Sequence, residues 1–168
     1  MKKIIPILFI LFLIYGFINK EEILIPDYAI RFRVIANSNT LEDQNEKMEI
    51  KSAVEKELNA LVSQAKSSKE AESIIENNLE NIKEIINQYT TDYQINFGLN
   101  YFPEKEYKGV TYPSGDYESL VITLGSGAGD NWWCVMFPPL CLLEAKEEGT
   151  EKIHYTFYVK EILDKYTG

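Results

Sequence analysis

Apolar and polar residues alternate most cleanly between residues 93 and 101. There Tyr93, Ile95, Phe97, Leu99 and Tyr101 are separated by Gln94, Asn96, Gly98 and Asn100. A period of two predicts a β-strand with one apolar face. The same period marks Ile30, Phe32 and Val34, which alternate with Arg31 and Arg33, and predicts a half-buried strand ending at Asn37-Ser38-Asn39-Thr40. Leu120, Ile122 and Leu124 give a third strand over 118–124. The apolar run Trp132–Phe137 gives a short fourth, stopped by Pro138-Pro139. Residues 109–115 read as an extended piece between turns, and Ile153–Lys160 alternates before a closing helical turn over 161–166.

Between the first two strands the spacing changes to threes and fours. Leu41, Met48, Val54, Leu58, Leu61, Val62 and Ala65 approximate one face of a helix, with Ser38, Asn39 or Thr40 as its cap and Glu42 and Asp43 in its first turn. Ser67 and Glu70 form an S-x-x-E capping box. It opens a second helix through Ala71, Ile74, Ile75, Leu79, Ile82, Ile85, Ile86 and Tyr89. The order is strand, helix pair, then several strands. That predicts an α+β fold, a mostly antiparallel β-sheet with an αα-hairpin packed on one face.

The first twenty residues are of another kind. Lys2 and Lys3 precede a nearly unbroken apolar run from Ile4 to Ile18. A positive start followed by such a run reads as an export signal. It is short for a membrane span, which needs about 20 apolar residues. No small-x-small cleavage motif follows, so a cleaved signal peptide and an uncleaved N-terminal anchor helix both stay open. The division expected is 1–20 signal or anchor, 21–28 a polar stem, and 29–168 one domain. Positive residues favour the inner side, which places that domain outside the cytoplasm. Membrane contact is expected only through the N-terminal segment.

The chain of 168 residues carries a net charge of −9. An acidic domain without a basic stripe argues against nucleic acid as a partner. There is one histidine, His154, and two cysteines, Cys134 and Cys141. Two cysteines and a distant histidine do not make a four-ligand zinc set, so no metal and no cofactor are expected. In an oxidising compartment the six intervening residues permit a Cys134–Cys141 disulfide, although spacing alone does not decide it.

Three features invite an enzymatic reading, and each has a plainer one. The loop Gly125–Asn131 lacks the Lys and Ser/Thr of a phosphate-binding loop and carries Asp130 instead, so it reads as a hairpin loop. Cys134 with His154 as base and Asp130 or Glu118 as orienter would suit a secreted cell-wall hydrolase. A cysteine in an apolar stretch is more often structural. The carboxylates Glu104, Glu106, Asp116 and Glu118 sit near turns, where acidic residues are ordinarily solvated. No catalytic residues are assigned. Trp132 and Trp133 point to opposite faces of any strand they share.

Asn131-Trp132-Trp133-Cys134-Val135-Met136-Phe137-Pro138-Pro139-Leu140-Cys141 resembles the signature of the stage II sporulation protein R family. Three further segments fit that family in order. They are Ile30–Ser38 with Glu42-Asp43-Gln44, then Asn100–Lys105, then Tyr112–Leu120. The resemblance implies a non-catalytic protein made in the forespore and exported to the intermembrane space. There it would trigger a membrane-embedded aspartic protease, the peptidase that processes the precursor of sigma-E. The concentration of aromatics, glycines and prolines over 125–141 marks Trp132, Trp133, Pro138, Pro139 and Leu140 as the expected partner contacts.

Overall fold

The structure, a computed structural model, describes residues 23–141 and 152–166. The segment 1–20, the acidic stretch 144–151 and the side chain of His154 lie outside the described residues. No helix among the described residues is long and apolar enough to cross a membrane.

The fold is α+β, with seven strands and four helices among the described residues. The strands are β1 (Ile23–Leu24), β2 (Ile30–Ile35), β3 (Tyr93–Phe102), β4 (Lys105–Tyr107), β5 (Val110–Tyr112), β6 (Gly115–Leu124) and β7 (Asn131–Phe137). The helices are α1 (Leu41–Val62), α2 (Ser68–Asn77), α3 (Leu79–Ile86) and α4 (Lys152–Tyr166). A four-stranded sheet runs β3-β6-β2-β7 and a three-stranded sheet runs β1-β5-β4. Both are mixed rather than purely antiparallel. The central β2–β6 pair is parallel, as is β1–β5, while β2–β7, β3–β6 and β4–β5 are antiparallel. The parallel centre follows from the chain order, because the helices and β3 intervene between β2 and β6 and let the chain return in the same direction.

Local chemistry fixes the helix starts. Thr40 Oγ1 accepts from the Asp43 amide at 3.3 Å, and Ser67 Oγ from the Glu70 amide at 3.2 Å. Glu70 Oε2 in turn accepts from the Lys66 amide. The apolar face of α1 begins later than its sequence suggests. Ile50, Val54, Leu58 and Val62 are buried, whereas Leu41 is 79% exposed and Met48 42%. Lys47, Lys51 and Glu55 occupy the buried side of the first turns instead. The second expected helix is two helices, broken at Asn78, whose side-chain amide donates to the Ile74 carbonyl at 2.7 Å. A side chain that competes for backbone acceptors favours such a break.

Two apolar cores share the four-stranded sheet. One lies under the helices and joins Ile50, Val54, Leu58, Ile75 and Ile82 to Phe32, Val34, Leu120 and Ile122. The other lies on the opposite face, between Phe102, Tyr117, Trp133 and Val135 of the sheet and Ile25, Val110, Tyr112, Tyr155 and Val159. The sheet is therefore covered on both sides, and the expected single helical layer is half of the arrangement. Two segments depart from their sequence pattern for that reason. Residues 23 and 24, assigned to a polar stem, pair with β5. Residues 153–160, assigned to alternation, belong to α4, where Tyr155, Val159, Ile162 and Leu163 face the second core at helical spacing.

Candidate functional site: a caged arginine and a fastened loop

The four segments that carry the family resemblance meet around Arg31. Its side chain is fully buried. The guanidinium carbon lies 3.5 Å from the ring centre of Tyr117, 4.9 Å from Trp133 and 5.0 Å from Phe102. Nη2 donates to the Pro113 carbonyl at 3.1 Å, while Nε and Nη1 have no hydrogen-bond partner. Arg33, on the same face of β2, stacks on the other side of the shared cluster, 3.7 Å from the Phe102 ring centre, and donates to the Tyr101 carbonyl at 3.0 Å. Burial pushes the Arg31 pKa down to about 10, helped by the neighbouring Arg33 charge and opposed by Tyr117 and Tyr112. Burial lowers that of Arg33 as well. A guanidinium tolerates this setting better than an ammonium, being planar, weakly hydrated and suited to ring stacking. Phe102 meets Trp133 edge-on at 5.3 Å and Tyr117 at 6.3 Å, so the cage walls brace one another.

The second feature is the loop Gly125–Asp130. It joins β6 to β7, which are separated by β2 in the sheet, so the hairpin loop expected from the sequence is instead a connection across the end of β2, tied down along its length to the turn after that strand. The Ser126 amide donates to Asn37 Oδ1 at 3.0 Å and the Ser126 hydroxyl to the Asn37 carbonyl at 2.9 Å. The Ala128 amide reaches the Asn37 carbonyl and the Gly129 amide that of Ala36. The Asp130 amide donates to Asn39 Oδ1 at 2.6 Å, and Lys47 Nζ donates to the Asp130 carbonyl at 3.0 Å. Gly125 has φ +51° and Gly127 φ +65°, which side chains rarely adopt. A Cβ on Gly129 would run into the Ser38 carbonyl. Asn37 also donates to Asp43, as does the Ser38 hydroxyl, so the helix start and the loop form one polar junction. These bonds, with Ser38 first among them, hold the Asp43 carboxyl below its ordinary range.

The residues expected to contact a partner divide by burial. Trp133 is 8% exposed and Leu140 fully buried, both in the second core, and Pro138 is buried too. Trp132 and Pro139 are half-buried, while Ser126, Ala128, Asp130 and Asn131 are exposed. Trp132 rests edge-on against Phe32 at 5.9 Å, with Lys51 Nζ 4.1 Å above its ring. Lys51 pairs with Glu55 at 2.7 Å. Cys134 and Cys141 are joined as a disulfide, with Cα atoms 5.3 Å apart. It closes the turn after β7, where the Leu140 amide donates to the Val135 carbonyl at 3.2 Å. Glu55 lies close by, its carboxylate and the two sulfurs all within 4.8 Å of one another. Those sulfurs are bonded to each other, so this trio is not a ligand set in this state, and Cys134 offers no thiolate to a hydrolase mechanism. Glu118 lies two strands away from Cys134, on β6.

The sequence pattern does not single out Arg31, Arg33, Phe102 or Tyr117. Strand alternation assigns both arginines to the polar side. The available signal was the density of aromatic residues in all four motif segments, which gives a buried guanidinium its walls.

Fold and site together define a disulfide-closed α+β domain whose motif residues frame a buried cation and fasten one loop in place. A family model described as Stage II sporulation protein R matches residues 26–147. The Stage II sporulation protein R of Bacillus subtilis (strain 168) is 36% identical over 161 residues, covering 89% of this chain and 72% of that protein. No solved structure matches the chain. The chain belongs to the stage II sporulation protein R family.

Proposed function

We propose that this chain is an exported, non-catalytic signal of endospore formation. It activates a membrane-embedded aspartic protease that removes the pro-sequence of sigma-E. Family membership over residues 26–147 carries this reading. The apolar run after Lys2 and Lys3 is consistent with export towards the intermembrane space. The fastened loop suits a signalling surface, because a pre-ordered loop loses little conformational entropy when a partner binds. Its reachable part is Ser126–Trp132 with Pro139; the buried Trp133 and Leu140 act as its support.

The test is co-expression in non-sporulating cells. The protease and the sigma-E precursor are produced with and without this protein, and precursor cleavage is read on a gel. Cleavage only in its presence is expected. Trp132→Ala is expected to cut processing about tenfold, the scale of one lost interface anchor, whereas Trp132→Phe, which keeps a ring against Phe32, separates lost contact from lost packing by its melting temperature. Absence of cleavage in an assay that responds to the Bacillus subtilis relative would overturn the proposal.

A further inference from the structure

The two edges of the four-stranded sheet are treated differently. At β7 the chain turns back over its own edge, is locked there by the Cys134–Cys141 disulfide, and hydrogen-bonds to the Val135 carbonyl. Among the described residues β3 pairs with no strand but β6, and side chains reach its backbone only at the Gly98 carbonyl, from Asn100 and Ser119, and at the Tyr101 carbonyl, from Arg33. The strand has ten residues, Tyr93–Phe102, and none of them is charged or a proline before position 103. Exposed edges of this length are ordinarily guarded by lysine, proline or a covering element, because their unpaired amides and carbonyls recruit other strands.

The side chains beside this edge point to what it recruits. Leu99 and Tyr101 project from β3 on the helix-covered face yet are 73% and 62% exposed. Directly opposite them on β6 stand Glu118 and Asp116. Burial raises the pKa of Glu118, and the charges of Glu72 and Glu76 on α2 add to it. An apolar pair is thus flanked by four carboxylates with no ion pair to any of them among the described residues. A second copy of this chain would bring a matching set of carboxylates to the same place, on a molecule already at −9. A segment bearing lysine or arginine beside apolar residues would relieve the repulsion and cover the pair.

We propose that the free edge of β3 is a docking site for an extended, basic and apolar segment of a partner protein, which adds to the sheet as a fifth strand. The site lies at the opposite end of β3 from the Gly125–Asp130 loop, whose Gly125 amide bonds to the Asp92 carbonyl. It stands or falls independently of the proposed activation of a protease. Backbone bonds supply the attachment, and the Leu99–Glu118 and Tyr101–Asp116 pairs select the side chains.

The probe is a synthetic peptide of alternating lysine and valine, as long as β3, added to the full-length, disulfide-bonded protein. The expected result is slowed hydrogen exchange of amides within 93–102 and not elsewhere in the sheet. A matching peptide with every second backbone amide methylated is expected to lose this protection. A glutamate–valine peptide, and the lysine–valine peptide on the Leu99→Lys/Tyr101→Lys variant, are each expected to bind about tenfold more weakly, as opposite and like charges across a strand pair require. These substitutions lie on exposed positions, so circular dichroism and melting are expected to stay unchanged. Equal binding of the methylated peptide, protection outside β3, or no protection at millimolar peptide would overturn the proposal. So would protection of β3 that grows with protein concentration alone, which would make the occupant a second copy.

Discussion

Arg31 sits where two large effects oppose each other. Three rings surround its guanidinium, and each such contact contributes on the order of 0.5–2 kcal/mol. Against this stands the cost of removing a cation from water, several kcal/mol even after relaxation, with two donors left unbonded. The desolvation side is the heavier. Arg31→Met, which keeps the bulk and removes the charge, is therefore expected to be more stable than Arg31→Lys by at least about 1 kcal/mol. Urea unfolding of the two variants measures the order, and the reverse order would mean that ring stacking outweighs desolvation. Asp43 allows a pH test at the same scale. Its folded pKa lies below the unfolded value, so its contribution is complete above the ordinary carboxylate range and disappears as pH falls through the lower, folded value. Asp43→Asn is expected to flatten the fall of the urea midpoint below about pH 4, leaving the neutral range parallel to the parent.

At the scale of elements, the Gly125–Asp130 loop depends on the absence of side chains at particular points. Gly125→Ala places a Cβ against Asn37 at φ +51°, and Gly129→Ala drives one into the Ser38 carbonyl. Each is expected to cost about 1–3 kcal/mol in thermal or urea unfolding, whereas the exposed Ser126→Ala loses only hydrogen bonds and costs about 1 kcal/mol. Sequence pattern was a good guide to elements whose partners lie on one side. The alternation of β3 and the Thr40 and Ser67 caps appear in the structure where their chemistry puts them. It was a poor guide wherever a second layer intervenes. Arg31 and Arg33 look solvated because the residues that cover them come from β3, β6 and β7, distant in the chain. Tyr155 and Val159 fit a period of two as well as a period of four, and only the second core chooses between them. The loop's glycines were visible, but their reason, the approach of Asn37 and Ser38, was not.

For the whole molecule, one sheet shared by two cores implies one unfolding event. Trp132 reports on the helical face and Trp133 on the other. Ile50→Ala weakens the first core and Tyr155→Ala the second, each by about 2–5 kcal/mol. Both variants are expected to shift a single transition, superimposable by tryptophan fluorescence and far-ultraviolet circular dichroism. Separate transitions by the two probes would show that the faces melt independently. The Tyr112 and Tyr155 hydroxyls, 2.8 Å apart, join α4 to β5 within the second core, so Tyr155→Ala removes that bond along with the ring.

The short strand β1 has a bearing on how far the folded body can travel. The described residues start at Ile23, which pairs with β5, and Ile25 is already packed inside, its amide bonded to the Thr111 carbonyl at 3.0 Å. Between Ile18, the last residue of the apolar run, and Ile23 lie four residues, Asn19–Glu22. Fully stretched, they span roughly 14 Å. If that run stays in a bilayer, the folded body is on a short leash, and the proposed encounter with a protease takes place beside the lipid. Cleavage in Asn19–Glu22 would remove that limit and leave the fold itself untouched, so under the proposed function one peptide bond would decide between contact and broadcast.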